Sequence, residues 1–243
     1  MSHRPYELMP DSDLPCALGL IVLRADETLE PEFHEALADV PAALYVSRIP
    51  SAPEVTPDTL IAMKQAIPAS ADLLPKSPDF KSVGYGCTSA SALLGSDTVA
   101  GLVKSACNAR QVTDPLRAAV AFAHHHSLSR LALLSPYTPQ VNKPLRTALA
   151  HAGVSTEVFA TFAEAQEARV ARIAESSIVE AACDLGSAPQ VDGVFLSCTN
   201  LKTRTAIPKI QSRIGKPVFS SNSALFWHMT KCADLLKISQ LQQ

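Results

Sequence analysis

Two short stretches, Gly86-Cys87-Thr88-Ser89 and Ser197-Cys198-Thr199-Asn200, carry the residues best suited to chemistry. In each, a cysteine follows an apolar run and precedes small hydroxyl or amide residues of the kind that start a helix. A thiolate is both a nucleophile and a proton carrier. The unpaired N–H groups of a helix start, with the positive end of its dipole, favour an anion there. The same turn can therefore activate a thiol by lowering its pKa, or hold a substrate carboxylate. Taken singly, a buried cysteine is equally well a small apolar core residue. Two cysteines in matching contexts point instead to a pair, Cys87 and Cys198, serving one bound acid. Cys16, Cys107, Cys183 and Cys232 lack such a turn and read as core or surface residues.

The elements that must position the pair follow from periodicity. Apolar runs flanked by turn signals at 18–23, 43–46, 83–86, 131–134, 154–159, 191–196 and 217–219 predict buried strands, and 109–112 is strand-like. Helical spacing covers 31–38, 57–66, 91–106, 115–124, 142–151, 170–185 and 224–236. Alternating strands and helices imply an α/β fold with parallel sheets. The segment from Glu30 to Ala38 echoes that from Asn142 to Ala150, and nearly the same offset carries Cys87 onto Cys198. A duplicated architecture is the economical reading, with two lobes presenting their Cys-Thr turns to one cleft. Asp114-Pro115 starts a helix and marks one lobe boundary, and the second falls near Phe219. The expected division is 1–113 with 220–243 as the first lobe and 114–219 as the second, the last helix packing back on the first.

Bulk properties narrow the partners. A chain of 243 residues with 47% hydrophobic and 18% charged residues and a formal net charge of -2 has no electrostatic footprint for nucleic acid or membrane. No apolar stretch has the length of a signal peptide or a transmembrane span, which leads to the expectation of a cytoplasmic protein with free thiols. No cysteine spacing suits a metal, and His124 to His126 lack a ligand-spaced partner, so no metal site is expected. The expected partner is a small carboxylic acid. A homo-oligomer is compatible with the sequence, which does not determine the oligomeric state.

Several pieces together carry a family resemblance: Gly19-Leu20-Ile21-Val22 with Asp26-Glu27-Thr28, the two cysteine turns, Pro136-Tyr137-Thr138 with Val141-Asn142, Val170-Ala171-Arg172-Ile173, and Ser220-Ser221-Asn222 with Trp227-His228. Over residues 18 to 232 the chain resembles the maleate cis-trans isomerase and arylmalonate decarboxylase branch of the aspartate/glutamate racemase superfamily. The resemblance implies two pseudo-symmetric flavodoxin-like lobes, a site between them and no cofactor. It makes Cys87 and Cys198 the catalytic pair of the isomerases and racemases, whereas the decarboxylases match only the second and have glycine at the first. It further implies that Tyr137 hydrogen-bonds a substrate carboxylate, and that Thr88, Ser89, Thr199 and Asn200 belong to the carboxylate-holding loops. On residue type alone, Tyr137 equally suits half-buried packing and Asn200 a helix cap.

This chain departs from the maleate isomerases at two places. It has Asp26 where they have asparagine, and Glu167 or Ala168 where they have another asparagine. An aspartate repels a dicarboxylate unless it is protonated or paired, but suits a substrate carrying an amine; alternatively, Asp26 caps the helix that follows. The leading expectation is a two-cysteine isomerase, either cis-trans isomerase or racemase, acting on a small carboxylic acid. The rivals are a decarboxylase that uses Cys198 as proton donor and a non-catalytic carboxylate-binding protein.

Overall fold

The computed structural model describes residues 3–235 and contains two four-stranded sheets. Along the chain run β1 (Cys16–Leu23), α1 (Leu29–Ala36), β2 (Ala42–Ile49), α2 (Pro57–Ala62), α3 (Ile67–Asp72), β3 (Phe80–Gly86), α4 (Thr88–Leu94), α5 (Ser96–Lys104), β4 (Ala109–Thr113) and α6 (Pro115–His125). There follow β5 (Leu131–Ser135), α7 (Pro139–His151), β6 (Phe159–Thr161), α8 (Glu167–Val170), α9 (Glu175–Gly186), β7 (Gly193–Leu196), α10 (Ala206–Ile214), β8 (Val218–Ser220) and α11 (Ser221–Cys232). The strand orders are β2-β1-β3-β4 and β6-β5-β7-β8, all parallel, so the second sheet repeats the first strand for strand.

Burial explains why the central strands lack polar alternation. Helices cover both faces of each sheet, and β1 and β5 are apolar runs buried along nearly their whole length. In both sheets the order in which successive strands are added reverses between the two central strands, β1 and β3 in one and β5 and β7 in the other. Such a reversal opens a crevice at the carboxyl ends of those strands. Gly86, the last residue of β3, lets that end approach its neighbours: a Cβ there would lie 2.3 Å from Leu29 Cδ2 and 3.1 Å from the Ile21 carbonyl oxygen. The helix α11, started by a Ser220/Ser223 capping box, packs on α6 and returns to the first sheet, where the Met229 sulfur fills the space above Gly84.

Some expected elements differ. The predicted helix 91–106 is two helices, because Gly95 at φ 87° ends α4 and precedes α5. The predicted strand 154–159 begins only at Phe159. Val154 instead closes α7, its N–H bonding the Leu149 carbonyl at 2.9 Å while Gly153, at φ 79°, bonds Ala150 at 3.0 Å. That is a Schellman ending, whose terminal apolar residue mimics the start of a strand in sequence. The predicted helix 170–185 breaks into α8 and α9, with Ala174 extended between them. Neither α3 nor α10 was expected, and the last helix, predicted over 224–236, starts at Ser221 and ends at Cys232, where Asp234 turns to φ 56°; residue 236 itself lies outside the described residues. Among the described residues no helix is long and apolar enough to cross a membrane.

Candidate active site

Four expected residues stand at equivalent points, just beyond the central strands. Asp26 follows β1 and Cys87 follows β3; Tyr137 follows β5 and Cys198 follows β7. The parallel registers that pair Val22 with Gly86 and Leu134 with Leu196 bring each couple side by side at its sheet's crevice.

The two crevices face each other and are stitched together. Thr199 donates to the Gly86 carbonyl oxygen at 3.3 Å, joining the residue after one cysteine to the residue before the other. Thr88 and Ser221 share a hydroxyl bond of 2.8 Å, and Ser221 Oγ accepts the Cys198 N–H at 3.0 Å. Tyr137 is close enough to feel charge on either sulfur, and its phenol stands beside the Cys198 thiol. Both cysteine turns, Tyr137 and Asp26 are thus brought to one buried locus.

Burial reverses one expectation. Each cysteine is only 3% exposed, and desolvation pushes the Cys87 thiol up to about 12 and the Cys198 thiol well above its ordinary value. The helix-start groups do act on Cys87: Ala90 N–H donates to Sγ at 3.4 Å, and Ser89 Oγ lies at 3.6 Å. Tyr137 and the Asn200 N–H do the same for Cys198. These stabilise thiolates less than burial penalises them, so both resting sulfurs are thiols rather than the activated thiolates expected from the turns alone.

The other candidates are placed as follows. Asp26 is 3% exposed; its Oδ1 accepts the Thr28 and Leu29 N–H groups at 2.8 Å each, so it does hold the start of the helix that follows. Its Oδ2 makes no hydrogen bond of ordinary geometry among the described residues, although the Thr199 hydroxyl lies near enough to the carboxylate to favour its charge. The Asn200 side chain is spent between the lobes. Oδ1 accepts the Glu27 N–H at 2.9 Å, and Nδ2 donates to the Glu167 carbonyl at 3.0 Å and to Glu167 Oε2 at 2.8 Å. What Asn200 turns towards the sulfur is its backbone N–H.

Three residues to which the sequence reading assigned no role complete the site. Ser221 bridges the turns. Asn142 fixes the loop bearing Tyr137, accepting from Ser135 at 2.6 Å and donating to the Tyr137 carbonyl at 2.7 Å. Glu167 is buried, and desolvation, opposed by the Asn200 bond and reinforced by the charge of Asp26, raises its pKa to about 7. In sequence Glu167 was visible only as a departure from an asparagine; nothing local indicated that Asn200 would bind it.

A cavity of about 1190 Å³ lies elsewhere, bordered by α1, α6, α10 and α11 and lined by neither cysteine. His125 and His126, at the exposed end of α6, lie beside that region through ring contacts with Trp227 and Phe122.

The family model for arylmalonate decarboxylase matches residues 18–242. The chain belongs to the arylmalonate decarboxylase family. A curated arylmalonate decarboxylase from Bordetella bronchiseptica is 32% identical over 105 residues, a match spanning 43% of this chain and 44% of that protein. Among solved structures, a Nocardia farcinica maleate cis-trans isomerase, a cysteine-to-serine mutant with a covalently bound succinylcysteine intermediate, has a TM-score of 0.80 at 20% identity over 90% of this chain and 93% of that one. A Pseudomonas putida S16 maleate isomerase mutant with maleate has a TM-score of 0.76 at 18% identity, covering 90% and 92%. Unliganded arylmalonate decarboxylase has a TM-score of 0.73 at 25% identity over the same shares. The family's relatives are enzymes, and the fold is that of maleate isomerases and arylmalonate decarboxylase.

Proposed function

We propose that this family member is a cofactor-independent, two-cysteine isomerase of a small carboxylic acid, with Cys87 and Cys198 acting from opposite sides of one carbon skeleton. The observation that carries the reading is the stitched pair of turns, with a thiol at both equivalent positions and Tyr137 within reach of both. A single-thiol decarboxylation would leave Cys87 without a task.

The chemistry has two versions. In racemisation, one sulfur, as thiolate, takes the α-proton, and the opposite thiol delivers its own proton to the other face. In cis-trans isomerisation, the Cys87 thiolate adds to the double bond while Cys198 protonates the neighbouring carbon. After rotation about the new single bond, Cys198 takes that proton back and the C–S bond breaks. Either version starts from a thiol whose proton must first pass to solvent while the lobes are apart. The resulting sulfur anion is received by the Ala90 N–H and Ser89 hydroxyl at Cys87, or by the Tyr137 hydroxyl and Asn200 N–H at Cys198. Because each cysteine is 3% exposed, the lobes must part to admit a substrate and close to exclude water.

Cys87→Ala and Cys198→Ala are each expected to lower turnover by roughly a thousandfold. The measurement is solvent deuterium incorporation next to the carboxylate, alongside maleate-to-fumarate conversion; undiminished activity in both variants would end the proposal. The family model and the Bordetella relative support a second reading, decarboxylation with Cys198 as proton donor. Carbon dioxide release from an arylmalonate that persists in Cys87→Ala and disappears in Cys198→Ala would select it.

A further inference from the structure

Helix α11 has two tasks. Its start holds the Cys198 turn: Ser221 Oγ accepts the Cys198 N–H at 3.0 Å, and Asn222 Nδ2 donates to the Thr199 carbonyl at 2.9 Å. One stripe of the same helix, Asn222, Ser223, Phe226, Trp227 and Thr230, lines the cavity of about 1190 Å³ that neither cysteine borders. A hollow of that size suits a small molecule.

The cavity is walled by rings yet holds polar groups with nothing to bond. Between ring centroids Phe122 stands 4.6 Å from Phe219 and 5.3 Å from Trp227, and Phe33 and Phe226 meet edge to face at 5.6 Å. Asn222 is 3% and Trp227 8% exposed, but among the described residues Asn222 Oδ1 has no donor and Trp227 Nε1 no acceptor. Buried amide and indole groups ordinarily find partners, and an unmet one is costly.

The charged side chains on the wall are already engaged. Glu32 Oε2 accepts from Asn222 at 2.8 Å, Arg204 pairs with Glu35 at 3.0 Å, and Lys216 donates to the Gly186 and Ala188 carbonyls at 2.8 and 2.7 Å. What the cavity still offers is aromatic surface, one acceptor and one donor. An uncharged aromatic molecule with an N–H for Asn222 and an acceptor for Trp227 matches all three.

We propose that this cavity is a second ligand site, taking a small uncharged aromatic amide or N-heterocycle, and that its occupancy reaches the Cys198 turn through Asn222. An amide whose oxygen accepts a hydrogen bond donates more strongly from its nitrogen. A ligand N–H on Asn222 Oδ1 therefore tightens the bonds from Nδ2 to Thr199 and Glu32 and steadies the turn against opening. By linkage, closing the turn tightens the ligand's hold by the same factor. This goes beyond the two-thiol reading and holds whichever reaction the sulfurs perform.

Benzamide is the probe; toluene, which lacks the hydrogen-bonding pair, and cyclohexanecarboxamide, which lacks the ring, are the controls. Trp227, the chain's only tryptophan, reports binding by its emission. The rate of Cys198 alkylation by iodoacetamide, resolved from the other thiols by peptide mass spectrometry, reports the turn. Benzamide is expected to change the emission saturably with a Kd of about 1 mM or tighter, each control binding at least about fivefold more weakly. At saturation it is expected to slow Cys198 alkylation about threefold. Ala36→Phe, which fills the cavity from α1, is expected to abolish both effects. Trp227→Phe, which removes the donor, is expected to weaken binding about fivefold, read by ligand-induced thermal stabilisation. No saturable binding of benzamide, controls that bind equally well, binding without slowing, or slowing undiminished in Ala36→Phe, which puts the probe at the thiols, would each overturn the proposal. If Ala36→Phe fails to fold, equal stabilisation of Trp227→Phe and the unaltered protein does so.

Discussion

Cys87 caps a helix that begins at the very next residue, with ordinary extended backbone at φ -148°, whereas Cys198 sits at φ 130° in a turn with no helix before Ala206. The residue two places on differs in the same sense. Ser89 stays local, its hydroxyl 3.6 Å from the Cys87 sulfur, while Asn200 reaches out to Glu27 and Glu167. Equivalent positions in repeated sheets therefore carry unequal duties. Around Cys87 the bonds to the sulfur come from its own helix start, with only Thr88 and the Gly86 carbonyl bonding across to Ser221 and Thr199; the Cys198 turn is held mainly from outside itself, by Ser221, Thr28 and Glu167 at the start of α8. Strain at a functional residue persists only where its surroundings over-determine it, and that describes Cys198.

The largest expected effect concerns Glu167, which Asn200 ties to the Cys198 turn. Its pKa is about 7 in the folded protein against 4.5 for the free group, so between those values folding takes up a proton and stability falls as pH rises. That contribution is complete below pH of about 4.5, is lost by about 7, and amounts to on the order of 3 kcal/mol. Asp26, Glu32 and Asp114, also raised by burial, add slope of the same sign. Glu167→Gln is expected to flatten the fall, measured by denaturant unfolding across that range; an unchanged slope would mean that Glu167 is ionised at rest.

Next comes the bridge. Ser221→Ala leaves the buried Cys198 N–H without its acceptor and is expected to cost ~2 kcal/mol, about a 4–8 °C drop in Tm. Ser89→Ala, the local counterpart at Cys87, removes only a long sulfur contact and is expected to cost less than half as much. Equal losses would show that the two turns are held alike.

The smallest effect separates the backbones. At Cys198 a glycine relieves the positive φ, so Cys198→Gly is expected to be about 1 kcal/mol more stable than Cys198→Ala. At Cys87 the order reverses by ~0.5 kcal/mol, because glycine there only adds freedom to the unfolded chain. Thermal unfolding of the four variants gives both differences, and the same sign at both sites would remove the asymmetry.

Much of this was legible in sequence because it is local. Continuous apolar runs such as Leu18 to Leu23 can be buried on both sides only in a helix-covered sheet, and the offset between Cys87 and Cys198 exposes the duplication without coordinates. Short-range signals also misled where two structures share one pattern, as when Val154 after Gly153 resembled a strand start but closed a helix. The chemistry of the site lay beyond local reach. A Cys-Thr turn favours a thiolate, but burial of each sulfur in the folded protein outweighs that preference and raises both thiols. Likewise, nothing near Glu167 in the chain announces Asn200, 33 residues on. Residue types and their spacing specified most of the strands, the repeat and the two equivalent cysteine turns; only tertiary contact determined which charges meet, because proton affinity depends on water excluded by distant parts of the chain.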